Sequence, residues 1–356
     1  MFLKSSNAMS PFFAAIFLHG LCLANAVNFT TVYEWDNFDF IWPSEANNSK
    51  GETDQKFYSD NVLPRYMAVF GERLFLSLDF GTPATLVWLP TSGTSTAPPK
   101  LAPFPSLDLH KANNCDTIQW AKGMETDTDG RLWVLDNGSS SCPSKLWIFD
   151  LLNHDTTDRV HQFPHSVVSH SIGGRRMYDM VLDKNPDDDL AYTTDYHSEY
   201  IVVYSRKLDK SWTVKTPGRT WFSLAVSPNR EARQLYIKKS RSKELYSVSV
   251  SELKNEGGSA APKLVGEFAE MPYRMVIDGA NVLYAAFYRK TYFTKWNISE
   301  PFREQHFYET GYLDSNWPFT FAFDSNDTFW LTVRDETDEI NGYRHKLLKA
   351  AVGARS

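Results

Sequence analysis

Charged and aromatic residues recur in this chain at one place, just before an apolar phrase that opens at Met67, Met124, Met180, Leu224, Met275 and Phe321. The polar members are Arg65, Lys122, Asp179, Ser223, Arg274 and Thr320, and the rings beside them are Tyr66, Tyr178, Phe222, Tyr273 and Phe319. A second set, Asp79, Asp136, Asp195 and Arg334, falls at the ends of the apolar runs that follow. Charges of both signs beside ring faces suit a small ligand with a cation or hydroxyls on an aromatic body. The contact set expected for such a ligand is Arg65, Asp136, Tyr178, Asp179, Asp195, Phe222, Tyr273, Arg274, Phe319, Thr320 and Arg334. The alternative is that these charges only pair with one another across water, since buried polar groups need partners whether or not a ligand binds. If there is catalysis, Asp179 or Asp195 is the candidate base. Arg274 or Arg334 would then stabilise an enolate-like oxygen during a proton shift on a catechol-derived ring.

Those residues need elements to hold them together. The phrase is an apolar run, a turn and a second apolar run, followed by a looser third, and it repeats at steps of 57, 56, 44, 51 and 46 residues. Period-2 alternation is frequent and helical spacing scarce, as in Tyr192-Thr193-Thr194-Asp195 followed by Ile201-Val202-Val203-Tyr204. A period near ~40–50 residues built from strands and turns predicts an all-β, six-bladed β-propeller. A ring must close, or its first and last strands expose unpaired backbone. The strand-like segment from Phe29 to Trp42 is therefore expected to pair into the last blade beside Tyr343 to Leu348, making residues 27–356 one domain.

Residues 1–26 read as an export signal: Lys4, an apolar run from Pro11 to Ala24, and a small-x-small site at Ala24-Asn25-Ala26. The expectation is a secreted, extracellular chain with no membrane partner. Of three cysteines Cys22 leaves with the signal, so Cys115 and Cys142 are expected to form one disulfide, the alternative being two buried thiols. Five N-x-S/T sequons, at Asn28, Asn47, Asn137, Asn297 and Asn326, are candidate glycosylation sites. A formal net charge of −6 argues against nucleic acid as a partner. The basic run Lys238-Lys239-Ser240-Arg241-Ser242-Lys243 reads as a solvated hairpin.

No metal and no cofactor is expected. Asp127-Thr128-Asp129-Gly130 lacks the spacing and terminal Glu of a calcium loop and reads as turn chemistry. His161, His165 and His170 have spacings that fit no strand face and read as an exposed turn. A lactonase- or esterase-like metal site would have to draw on Asp136, Asn137, Asp179 and Asp195, with Arg274 and Arg334 opposing the cation.

The block Asp129-Gly130-Arg131-Leu132-Trp133-Val134-Leu135-Asp136-Asn137-Gly138, with Cys142-Pro143 and Leu146-Trp147-Ile148-Phe149-Asp150-Leu151, resembles the signature of the yellow / major royal jelly protein family. Tyr33-Glu34-Trp35, Phe40-Ile41-Trp42-Pro43-Ser44, Trp221-Phe222-Ser223-Leu224-Ala225-Val226-Ser227-Pro228 and Phe329-Trp330-Leu331 extend it in the same order. The resemblance implies a secreted six-bladed propeller. Its relatives include cuticle-pigmentation proteins, dopachrome-converting enzymes, royal jelly nutrients and salivary amine binders. Many carry a second cysteine pair; here Asp129 and the Asp187-Asp188-Asp189 hairpin stand where its members would fall. Amine-binding relatives place an asparagine where this chain has Arg334, followed by Asp335. The implied partner is a small aromatic amine or catechol held in the central channel, with a dopachrome-type tautomerase as the enzymatic alternative.

Overall fold

The computed structural model describes residues 27–36, 38–41, 62–79, 81–92, 97–185, 188–229, 231–287, 290–309, 317–336 and 343–352. The expected export signal and the Asn47 sequon lie outside them. Six four-stranded antiparallel sheets form the blades of a propeller. Their innermost strands are Pro64–Phe70, Ala121–Thr126, Met177–Asp183, Trp221–Val226, Pro272–Ile277 and Trp317–Phe323, so each repeated phrase opens inside an innermost strand. We number the blades 1 to 6 in that order. Closure follows the expectation: Thr30–Trp35 is the outer strand of blade 6, antiparallel to Tyr343–Ala351, with Thr30 opposite Lys349 and Trp35 opposite His345. Backbone that would otherwise be two sheet edges is thereby hydrogen-bonded.

The apolar runs are long because each blade is covered on both faces. Side chains alternate across a strand, so one run feeds two cores. In blade 3, Ile201 and Val203 pack with Leu224, Leu235 and Ile237 of blade 4, while Val202 and Tyr204 pack with Trp133, Leu135 and Ile148 of blade 2. Blades 5 and 6 meet through Tyr284, Ala286 and Phe293 against Phe321, Phe329 and Leu331.

A single aspartate locks the inner hairpin of three blades in the same way. Asp127, Asp278 and Asp324 each accept, on Oδ1, the backbone N–H groups two and four residues on, at 2.8–2.9 Å. The Oδ2 of each takes a ring donor six residues on: Trp133 Nε1 at 2.7 Å, Tyr284 OH at 3.0 Å and Trp330 Nε1 at 3.0 Å. Asp183 makes the equivalent bond to Tyr192 OH at 3.2 Å across a longer connection in blade 3. The tips that reverse the chain hold Gly130, Asn281 and Asp327 at φ 81°, 66° and 57°, the left-handed region that Gly, Asn and Asp tolerate best. The Asp127-Thr128-Asp129-Gly130 stretch is this turn.

Cys115 and Cys142 are bonded, closing a loop over a sequence separation of 27. Around it, fully buried Arg175 donates to the carbonyl oxygens of Asn137, Ser139, Cys142, Ser169 and His170.

Three sequence expectations change. His161 belongs to the outer strand Thr156–Gln162, where it is half-buried and bonded to Ser211 Oγ at 2.9 Å across to blade 3. Only His165 and His170 lie in the loop, their rings 5.2 Å apart. Lys238 of the basic run lies in the strand Gln234–Lys239, ahead of the turn, where it is buried and donates to Pro272 O of blade 5. Asn137 is fully buried, with Oδ1 accepting from Met177 N–H at 2.7 Å and Nδ2 enclosed, which leaves no room for a glycan. Asn28, Asn297 and Asn326 are exposed. Among the described residues no helix is long and apolar enough to cross a membrane.

Candidate functional site

Every innermost strand breaks register once against its neighbour, near its start. The first residue in each bulge is Arg65, Lys122, Tyr178, Phe222, Tyr273 or Phe319, and the second and third bulges also take in Gly123 and Asp179. A bulge adds one residue to one strand and re-aims its side chain. Bulges at equivalent positions aim the side chains of five of these first residues at one mouth of the ring, which is why they precede the apolar phrase. The same five line a cavity of about 250 Å³, joined by Tyr66, Asp79, Trp120, Arg176, Asp179 and Arg274. Phe319 holds the corresponding backbone position in blade 6; its side chain lies outside the described ones. A second cavity, of about 630 Å³, fills the opposite mouth beside the Asp127, Asp278 and Asp324 hairpins. Asp179 and Arg274 line both cavities and so form the waist between them.

Each innermost strand has one edge with no strand beside it in its own sheet, and at four N–H groups the preceding blade supplies a side-chain acceptor. Thr85 Oγ1 accepts from Ala121 N–H at 3.0 Å, Glu125 Oε2 from Leu182 N–H at 2.8 Å, and Ser223 Oγ from Met275 N–H at 3.2 Å. Asp179 does the same for Leu224 N–H at 2.9 Å through Oδ2, while Oδ1 takes its neighbour Met180 N–H at 3.0 Å. Asp179 is thus a structural acceptor that also faces the channel. Burial raises its pKa, and Arg274 and the amides pull it back.

Cations on ring faces dominate the smaller cavity. Lys122 Nζ lies 3.4 Å from the centre of the Trp120 ring and 5.5 Å from that of Tyr178. The Arg176 guanidinium is 5.3 Å from Tyr178, and that of Arg274 is 4.4 Å from Tyr66 and 5.6 Å from Phe321. Tyr178 and Phe222 pack with ring centres 4.8 Å apart. Arg65 and Asp79 form a bidentate pair at 2.6 Å per bond. Asp79 is paired with Arg65 and Asp179 sits in the field of Arg274, so the basic groups Arg65, Lys122, Arg176 and Arg274 outnumber the two carboxylates of the cavity. Arg274 Nε and Nη1 are buried without a hydrogen-bond partner among the described residues. Donors so placed call for acceptor oxygens. Burial raises the phenol pKa values of Tyr66 and Tyr273, keeping both neutral donors at ordinary pH.

The expected contact set therefore divides. Arg65, Tyr178, Asp179, Phe222, Tyr273 and Arg274 come together. Asp136 does not join them: its two oxygens accept from the N–H groups of Gln119, Trp120 and Gly138 and from Trp147 Nε1, all inside blade 2. Asp195 likewise caps the N–H groups of Arg176 and His197, and neither it nor Asp136 lines either cavity. Thr320 is fully buried against Thr332, and Arg334 is buried near His345. Neither lines the two cavities. Among the described residues no group of three or more His, Cys, Asp or Glu is placed to hold a metal ion. Trp120 and Arg176 were missed. They stand two residues before Lys122 and Tyr178, an offset that a search confined to the phrase itself passes over.

A family model described as major royal jelly protein matches residues 121–221 and 217–316. Protein yellow of Drosophila melanogaster is 31% identical over 192 residues, covering 51% of this chain and 35% of that protein. Protein yellow of Drosophila subobscura matches at 31% over 192 residues, 51% of this chain and 34% of its own length. The match therefore spans about a third of these relatives. Among solved structures, a gluconolactonase from Xanthomonas campestris superposes with a TM-score of 0.52 at 13% identity, covering 81% of this chain and 86% of its own. A luciferin-regenerating enzyme does so at 0.54 and 13%, covering 82% and 92%. These two likenesses show the fold alone.

Proposed function

The chain belongs to the yellow / major royal jelly protein family, and from that premise we propose that it is a secreted propeller that binds a small catechol-type aromatic ligand in the smaller cavity of its channel. The observation that carries this reading is the bulge ring, which brings aromatic faces and oxygen-seeking cations from four or more blades to one point. It also favours one of the two ligand classes. An ammonium would meet the guanidinium groups of Arg176 and Arg274, with Asp79 already paired to Arg65, whereas ring hydroxyls, a quinone oxygen or a carboxylate would satisfy the two orphan donors of Arg274. Export, the Cys115–Cys142 bond and glycans on exposed Asn28, Asn297 and Asn326 belong to the same reading. Titration calorimetry with 3,4-dihydroxybenzoate and dopamine tests it. The carboxylate is expected to bind at least about tenfold tighter, and Arg274→Met to lose about 2 kcal/mol of that binding. Tighter binding of dopamine, or no heat with either, overturns it.

The waist favours one enzymatic reading. Asp179, its pKa raised by burial, and Arg274, with two unused donors, both line the waist and would serve as base and oxyanion stabiliser, as a tautomerase for dopachrome-like rings would need. Loss of dopachrome absorbance above the spontaneous rate, abolished in Asp179→Asn, is the expected result; an unchanged rate removes this reading.

A further inference from the structure

Among the described residues three lysines are almost fully buried: Lys122, Lys145 and Lys238. Two are tied to carbonyl oxygens, Lys145 to Cys115 and Thr117 and Lys238 to Pro272. Lys122 differs. It lines the smaller cavity, its Nζ touches ring faces, and no carboxylate among the described residues stands within ion-pair distance of it. Its backbone is held firmly: the next residue, Gly123, packs so close to blade 3 that a Cβ there would come within 2.5 Å of Met180 N. An amine fixed on a bulge, walled by Trp120 and Tyr178 and open to a cavity sized for one ring, is a nucleophile aimed at whatever the cavity holds.

We propose that Lys122 is a covalent anchor, its amine condensing with the carbonyl carbon of an aromatic aldehyde or ketone to form an imine. The nitrogen lone pair forms the new C–N bond. The two amine hydrogens leave with the carbonyl oxygen as one water molecule, so no oxidant or reductant is needed. The proposal rests on the reading that this cavity takes an aromatic ligand.

The surroundings favour the neutral, nucleophilic amine. Burial, opposed by Asp79 and helped by Arg65 and Arg176, lowers the Lys122 pKa to about 7. Tyr178, whose ring lies beside the amine, is a further titratable neighbour; burial raises its phenol pKa and keeps it protonated, and Tyr66, Asp179, Tyr273 and Arg274 line the same cavity. Desolvation beside other cations is the arrangement that activates lysines for imine chemistry. An exposed lysine at pH 7 keeps only about one amine in a few thousand neutral.

The full chain is incubated at pH 7 with 4-hydroxybenzaldehyde and, separately, with 4-hydroxybenzyl alcohol, which has the ring but no carbonyl. Ring fluorescence reports binding, and cyanoborohydride followed by peptide mass spectrometry reports the anchor. The expected result is quenching by both compounds, with the fixed adduct on Lys122 at least about tenfold above that on exposed Lys100 or Lys111. Lys122→Arg loses the adduct and Lys238→Arg retains it. Mapping in the unaltered chain decides the matter even if a variant fails to fold. Quenching by both compounds with label spread over exposed lysines overturns the anchor and leaves the cavity reading standing. No quenching by either overturns the cavity reading and the anchor with it.

Discussion

At the scale of single residues, burial decides what each ionisable group does. His110 and His345 are both enclosed, and burial lowers their pKa values to about 4 and about 3, Arg334 adding to the effect at His345. Both stay neutral in the folded chain where the unfolded chain takes up protons near pH 6.5. The unfolded state therefore binds more protons between about pH 4 and 6.5, and stability falls as pH falls through that window. Denaturant titrations at pH 7, 6, 5 and 4 are expected to show this slope. His345→Gln, which cannot titrate, is expected to flatten it by roughly half. Asp179 has the opposite sign. Its pKa is raised, so its ionisation as pH rises above the ordinary carboxylate range weakens the fold, offset by the amides it caps and by Arg274.

At the scale of elements, two local devices repeat and do different work. The aspartate lock is a short-range motif: one carboxylate, two amides and a ring donor within seven residues. It is legible as an Asp followed six residues later by Trp or Tyr in blades 2, 5 and 6. Asp278→Ala strands the Tyr284 hydroxyl and two amides together, and is expected to lower unfolding stability by about 2 kcal/mol, read from the shift in denaturant midpoint. The second device is the bulge. It leaves little trace in composition, since the extra residue is Arg, Lys, Tyr or Phe as the cavity requires. What betrays it is position, one or two residues ahead of a periodic apolar run, and that is how Arg65, Tyr178, Phe222 and Tyr273 could be named beforehand. Asp136 and Asp195 followed the same positional logic at the other strand ends and went elsewhere. Carboxylates at a strand end next to free loop amides bond to the nearest N–H groups, and nothing in the pattern marks which ones will.

At the scale of the molecule, the ring holds through closure by Thr30–Trp35, side-chain acceptors that reach from one blade to the next, and the disulfide in blade 2. Replacing Cys115 and Cys142 by serine frees a loop whose closure contributes about 3 kcal/mol in the chain-entropy model. The expected outcome is a loss of that size in unfolding free energy with the native circular dichroism spectrum retained at 20 °C; no shift would mean that the Arg175 carbonyl cluster alone carries the loop.

What the sequence determined on its own was the periodicity, and with it the all-β ring, its six blades, its closure and the rank of residues at one mouth. Alternation and turn chemistry are local, and repetition makes them add. The tertiary structure alone decided which charges survive as free chemistry. Asp79 is neutralised by Arg65, Asp179 is shared with the next blade, Asn137 is sealed inside, and Lys122 is left facing rings. Those outcomes depend on which groups from different blades arrive within a few ångströms of one another, and residues separated by dozens of positions meet only once the ring has closed.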